Sequence, residues 1–121
     1  MRSIMTWSLI AREPDGRFGV AIASRFFAVG ALCVHTRAGA GALCTQALMN
    51  PLYGHQGLEA LNRGLSAQAV VDQLTRADAG AAQRQLHVWG MEGPGAVHTG
   101  SQCVAWCGHQ VGENFSVAGN M

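Results

Sequence analysis

Lysine is missing from this chain, and all eight of its basic residues are arginine. Without a lysine no Walker phosphate loop can be completed, so Gly39 and Gly41 form only a fragment of one and nucleotide binding is disfavoured. Charge is scarce as well, at 12% of residues with a formal net charge of +1. The arginines are scattered, so no positive field is concentrated for a phosphate backbone and nucleic acid is not expected as a partner. Long apolar runs are also lacking. No window approaches the roughly 20 consecutive apolar residues that span a bilayer, which excludes a membrane-spanning helix. The opening Met1–Thr6 has neither the apolar segment nor the cleavage pattern of a secretory signal, so Cys33, Cys44, Cys103 and Cys107 are expected as free thiols in the cytoplasm.

What is present is enough apolar surface for one core: 49% of 121 residues are hydrophobic, which predicts a single domain over residues 1–121. The runs Thr6–Ala11 and Arg17–Ser24, separated by Glu13, Pro14, Asp15 and Gly16, predict a β-hairpin. In its second strand Phe18, Val20 and Ile22 share one face and Gly19, Ala21 and Ala23 the other, a pattern that predicts an interior strand buried on both sides. Gly30–His35 and Gly41–Gln46 predict a second hairpin. Leu58, Leu61 and Leu65 then fall on one helical face, and a new helix is expected after Gly64 with Ser66 as N-cap and Val70 and Leu74 buried. Glu59 with Arg63 and Asp72 with Arg76 stand at i,i+4 on the solvated sides. Strands return at Gln85–Trp89, Gly95–His98 and from Phe115 onward. Strands, then helices, then strands predict an α+β layering rather than a Rossmann or TIM alternation.

Several side chains could carry chemistry. Cys103, Cys107 and His109 have zinc-binding chemistry, but a three-residue gap needs a fourth ligand elsewhere, and Trp106 between the cysteines suggests an apolar setting. No metal or cofactor is expected. Cys33 or Cys44 with His35 or His98 could form a nucleophile pair, although both cysteines sit in predicted strands among apolar neighbours, where thiols are inert. His98 ends a strand next to Thr99 and Gly100, a place where polar groups collect at one sheet end. Thr6 reads equally as a β-branched strand opener and as a nucleophile. Were it the first residue, its own α-amine, with an unperturbed pKa of about 7.7 to 8.0, could take the hydroxyl proton.

The runs TWSLIAREPDGRFGVAIASRFFAVGA, TQALMNPLYGHQGL and AVHTGSQCVAWCGHQVGENFSVAGNM closely resemble the bacterial domain of unknown function 1028. The combination of ASRFFAVG, TQ, NPLYG, HTG and GNM carries the likeness. The resemblance implies an Ntn-hydrolase-like fold, an αββα sandwich of antiparallel sheets between helix layers. Members typically begin Met-Thr, matching Met5 and Thr6, so residues 1–5 are expected to precede the first strand. Members also continue beyond GNM, so the fold is expected to be incomplete at its C-terminal end, with an unpaired edge that favours a homo-oligomer.

The implied activity is amide hydrolysis on a small-molecule substrate: Thr6 attacks a carbonyl, and water releases the acyl group. Ser24 and Arg25 would orient the amine or bind an anionic group, and Asn120 or Gln46 would stabilise the oxyanion. His98, Asn50 and Tyr53 would contact substrate. Two other readings stand beside this one, a non-catalytic binding or structural protein and a metal-dependent hydrolase.

Overall fold

The computed structural model describes residues 5–121. The first hairpin forms as expected, with β1 at Thr6–Arg12 and β2 at Phe18–Ser24. Gly16 takes φ 86°, Glu13 N–H donates to the Arg17 carbonyl at 2.8 Å, and Asp15 Oδ1 accepts the Arg17 N–H at 3.1 Å. The chain continues through a short helix α1 (Val29–Cys33) into β3 (Val34–Arg37), β4 (Gly41–Ala47), α2 (Leu52–Asn62), α3 (Ala67–Arg76), β5 (Arg84–Gly90), β6 (Ala96–Thr99), β7 (Cys107–Val111) and β8 (Phe115–Asn120). All strand pairs are antiparallel. One sheet, here sheet A, has the order β2-β1-β8-β7, and sheet B has the order β3-β4-β5-β6.

Helices α2 and α3 pack on the outer face of sheet B, where Leu43, Leu61, Val70, Leu74, Leu86 and Val88 form the larger core. Strand alternation then turns Ala42, Cys44 and Trp89 of sheet B toward Ile10, Phe18 and Val20 of sheet A, filling one end of the layer between the sheets. Arg12 closes that end. Its guanidinium donates to the Gly90 and Gly93 carbonyls at 2.8 Å each and lies 4.9 Å from the centre of the Trp89 ring. The result is an α+β layering of helices, sheet B and sheet A. The expected second helix layer is not found among the described residues, and of the expected leader only Met5 is described, directly ahead of β1; residues 1–4 lie outside the described residues.

Several expectations are corrected. Gly30–His35 is not one strand: residues up to Cys33 are helical and only Val34 onward pairs with β4, because a short apolar run has no period that separates helix from strand. Among the described residues β2 lies at the edge of its sheet and not in its interior, and Gly19, Ala21 and Ala23 are exposed. α2 starts before the leucine stripe, at Leu52, and stops before Leu65, because Gly64 takes φ 91°. Its early turns bury Gly54 and Gly57 against His35 and Leu43, a close approach that apolar periodicity does not reveal. Neither i,i+4 ion pair forms; Glu59 instead meets Arg37 of β3 at 3.0 Å. β7, in the Cys107–His109 region, was unforeseen as a strand. Ser66 does cap α3, accepting the Ala69 N–H at 3.2 Å.

Candidate functional site

The other end of the intersheet layer is polar. Register places Ser24, Thr6, Asn120 and Cys107 in one cross-strand row of sheet A. Gln46, Gln85 and Thr99 form a row of sheet B. Side-chain bonds join the two rows. Thr6 and Asn120 are each 5% exposed, and Gln46 and Gln85 are buried.

The hydrogen bonds have a determined direction, because each hydroxyl carries a single proton. Gln46 Oε1 only accepts, so it takes the Ser8 proton, and Ser8 Oγ must accept from His87 Nε2–H at 2.8 Å. Trp89 Nε1–H donates to Ser116 Oγ at 2.8 Å, and Ser116 passes its proton to His87 Nδ1 at 2.7 Å. His87 is therefore a neutral Nε2–H tautomer. Burial, reinforced by the charge of His109, pushes its pKa down to about 4. Ser8 and His87 have the spacing of a nucleophile and base, but both are buried and their hydrogen-bonding groups are engaged within the network.

The amides continue the chain. Gln46 Nε2 donates to Gln85 Oε1 at 3.0 Å and toward the Thr6 carbonyl at 3.4 Å, which uses both of its N–H groups. Gln85 Nε2 reaches the carbonyls of Gly119 and Gly108 at 2.9 and 3.0 Å and Thr99 Oγ1 at 3.1 Å. Asn120 Nδ2 also donates to Gln85 Oε1, at 3.0 Å, and this is its one partner among the described residues. Of the two expected oxyanion donors, Asn120 thus retains an uncommitted N–H and Gln46 does not.

At the open end of the row, Ser24 Oγ donates to the Met5 carbonyl at 2.8 Å and accepts the Phe26 N–H at 3.0 Å. With its proton so placed, Ser24 accepts the Thr6 hydroxyl proton across 3.0 Å. Arg25 follows in an exposed position. Thr6, Ser24, Gln46 and Asn120, far apart in the sequence, therefore meet here. Gln85, Ser8, His87 and Ser116 belong to the same network and escaped the sequence reading. The available signal was polar residues alternating with apolar ones, as in Gln85-Leu86-His87-Val88, on a strand covered on both faces.

The family of unknown function DUF1028 matches residues 6–121. The chain belongs to this family. A crystal structure of a protein from Silicibacter pomeroyi, also described as DUF1028, is similar to it at 29% identity with a TM-score of 0.91, covering 97% of this chain. The chain spans 55% of that protein's length. No curated protein matches it.

The remaining expected residues of this DUF1028 chain lie elsewhere. Asn50 and Tyr53 gather around Asp78: the Tyr53 hydroxyl donates to Asp78 Oδ2 at 2.7 Å and Asn50 Nδ2 at 3.2 Å. Arg84 Nε pairs with the same oxygen at 2.5 Å, and Arg84 also donates to the Leu48 carbonyl. The Arg84 guanidinium, helped by Tyr53, the Gly80 N–H and Asn50, holds the Asp78 carboxyl well below the usual carboxylate range. Burial first, then the bond to Asp78, raises Tyr53 above the usual phenol value. His98 donates Nε2–H to the Ala81 carbonyl at 2.8 Å and lines a shallow open groove with Asp72, Arg76 and Ser101.

No helix is long and apolar enough to cross a membrane, and no group of three metal-ligating side chains gathers among the described residues. His109 turns instead to Thr99, its Nδ1 lying 2.8 Å from the hydroxyl. Burial pushes the Cys44 thiol up to about 12 and raises Cys33 and Cys103 as well, away from the thiolate that nucleophilic or metal-binding cysteine requires.

Proposed function

We propose that the DUF1028 chain has an Ntn-hydrolase-like fold and that the row Ser24–Thr6–Asn120 is the centre of an amidohydrolase acting on a small-molecule amide in the cytoplasm. One observation carries this reading: the Thr6 hydroxyl, at the first position of an interior strand, is directed at Ser24 in the same row as the uncommitted Asn120 amide. Thr6 Oγ1 would attack the substrate carbonyl carbon while its proton passes to the Thr6 α-amine, freed by removal of the preceding residues. Asn120 Nδ2–H would stabilise the oxyanion. The amine then protonates the departing nitrogen as the C–N bond breaks, and water, deprotonated by the same amine, hydrolyses the ester on Thr6. With Met5 gone, Ser24 loses the carbonyl it now binds and becomes free to orient the amine. Arg25, permanently charged, could hold an anionic group of the substrate but could not exchange protons near neutrality.

The second reading is a non-catalytic binding or structural protein. It is favoured by the burial of Thr6, which is 5% exposed, and by the bond of Ser24 Oγ to the Met5 carbonyl.

N-terminal sequencing with intact-mass analysis, followed by assay of small amides and ureides, separates the two. The catalytic reading expects active material to begin at Thr6 and Thr6→Ala to lower the rate by about 100-fold or more, with Asn120→Ala losing about 100-fold or more through the oxyanion. Activity in material whose first residue lies upstream of Thr6 ends the proposal.

A further inference from the structure

The connection from β6 to β7 brings together two thiols that the proposed site does not use. Cys103 lies within it, and Cys107 opens β7. Both are half-buried, whereas Cys33 and Cys44 are buried. Cys103 Sγ donates to the Arg84 carbonyl at 3.3 Å, and Cys107 Sγ donates to the carbonyl of Cys103 itself at 3.7 Å. The second thiol therefore rests against the backbone of the first. Burial first and the neighbouring Cys107 second raise the Cys103 thiol above its usual value.

Both flanks of the connection are pinned. Toward sheet B, the Gln102 N–H donates to the Ala82 carbonyl at 2.7 Å and the Cys103 N–H to the Gly100 carbonyl at 3.1 Å. Toward sheet A, the Trp106 carbonyl accepts the Met121 N–H at 2.9 Å, and its indole stacks on Trp7 with centroids 5.5 Å apart. Between these anchors Val104 and Ala105 lie outside both strands, with Val104 71% exposed. The anchors keep the two thiols from drifting apart, which raises the effective concentration of each at the other. The exposed tip supplies the give needed to bring the sulfurs to a bonding distance of about 2.05 Å.

We propose that Cys103 and Cys107 form a reversible intramolecular disulfide, with a hydroperoxide as the oxidant. Cys107 reacts first, because burial and its neighbour keep Cys103 protonated. The Cys107 thiolate attacks one peroxide oxygen; the S–O bond forms as the O–O bond breaks, and the departing hydroxide takes a proton to become water. The Cys103 sulfur then attacks the sulfenic acid on Cys107. The S–S bond forms, the S–O bond breaks, and the hydroxyl leaves with the Cys103 proton as a second water. Each sulfur is oxidised by one electron, and the two peroxide oxygens are reduced by the same pair. Cys107 stands opposite Asn120 in the β7–β8 register, so the bridge closes beside the row that holds Thr6, but its formation is independent of the chemistry at Thr6.

Limited oxidation of the reduced 121-residue protein with hydrogen peroxide, followed by alkylation in denaturant and tryptic mass mapping, tests it. No Arg or Lys follows Arg84, so one fragment, residues 85–121, carries Cys103 and Cys107 and no other cysteine. The expected result is a fragment lighter by two hydrogens that takes up no alkylating reagent until dithiothreitol is added. It should form about tenfold or more faster than any modification of the buried Cys33 and Cys44. In Cys103→Ser the sulfenic acid on Cys107 should persist and be captured by dimedone, and in Cys107→Ser the rapid oxidation of this fragment should be lost. Three outcomes overturn the proposal: a fragment whose thiols both remain alkylatable after Cys33 and Cys44 have reacted, a fragment that passes directly to sulfinic acid, or disulfides that join one chain to another.

Discussion

Acidification should destabilise this protein through a single buried imidazole. His87 has an ordinary value of 6.5 in the unfolded chain and about 4 in the folded one, because burial first and the His109 charge second oppose its protonation. Between those values the unfolded chain binds a proton that the native state refuses, so stability falls as pH falls. The stabilisation is complete above about pH 7, declines by up to about 1.4 kcal/mol per pH unit and is exhausted near pH 4. A shift of about 2.5 pH units at about 1.36 kcal/mol each gives roughly 3 kcal/mol in all. For a domain of this size that corresponds to a fall in Tm of roughly 10 °C.

The hydrogen bonds explain why the imidazole cannot adapt. A proton on Nδ1 would displace the one Ser116 now donates there, and that hydroxyl proton would lose its acceptor inside the buried network. Urea unfolding followed by fluorescence at pH 7, 6, 5 and 4.5 measures the slope. His87→Gln should be less stable at pH 7 and should flatten the dependence across this window, while His109→Gln should reduce it only slightly. A wild-type stability that is level from pH 4.5 to 6.5, or a slope that survives His87→Gln, refutes the reasoning.

Two further outcomes follow from other parts of the fold. Asp78→Asn leaves the mostly buried Arg84 guanidinium without its carboxylate and should cost about 3 kcal/mol in chemical denaturation. The wild-type contribution of Asp78 should be lost only as pH falls below about 4, since its pKa is depressed from 3.8. Gly41→Ala should lower stability by about 2 kcal/mol or more, because Gly41 has φ 151° and a Cβ there would be driven into the Trp89 carbonyl; a calorimetric Tm equal to that of wild type would count against this.

Local chemistry was legible from residue order. The Glu13–Arg17 turn, the Ser66 cap, the strands around Gly41–Gln46, Gln85–Trp89 and Phe115–Asn120, and the general α+β grouping all follow from short-range preferences that neighbouring residues express without help. Which strands lie together is a long-range matter, decided when sheets assemble. Only then do Thr6, Ser24 and Asn120 share a row, and only then do Gln46 and Gln85 cover it. Residue type nominated Asn120 and Gln46 alike, but the packed structure distinguishes them, because hydrogen-bond partners occupy both N–H groups of one amide and only one of the other. The same holds for β2, whose alternation of bulky and small residues is identical for an interior and an edge strand. Burial is a property of what packs against a face, and no run of seven residues contains that information.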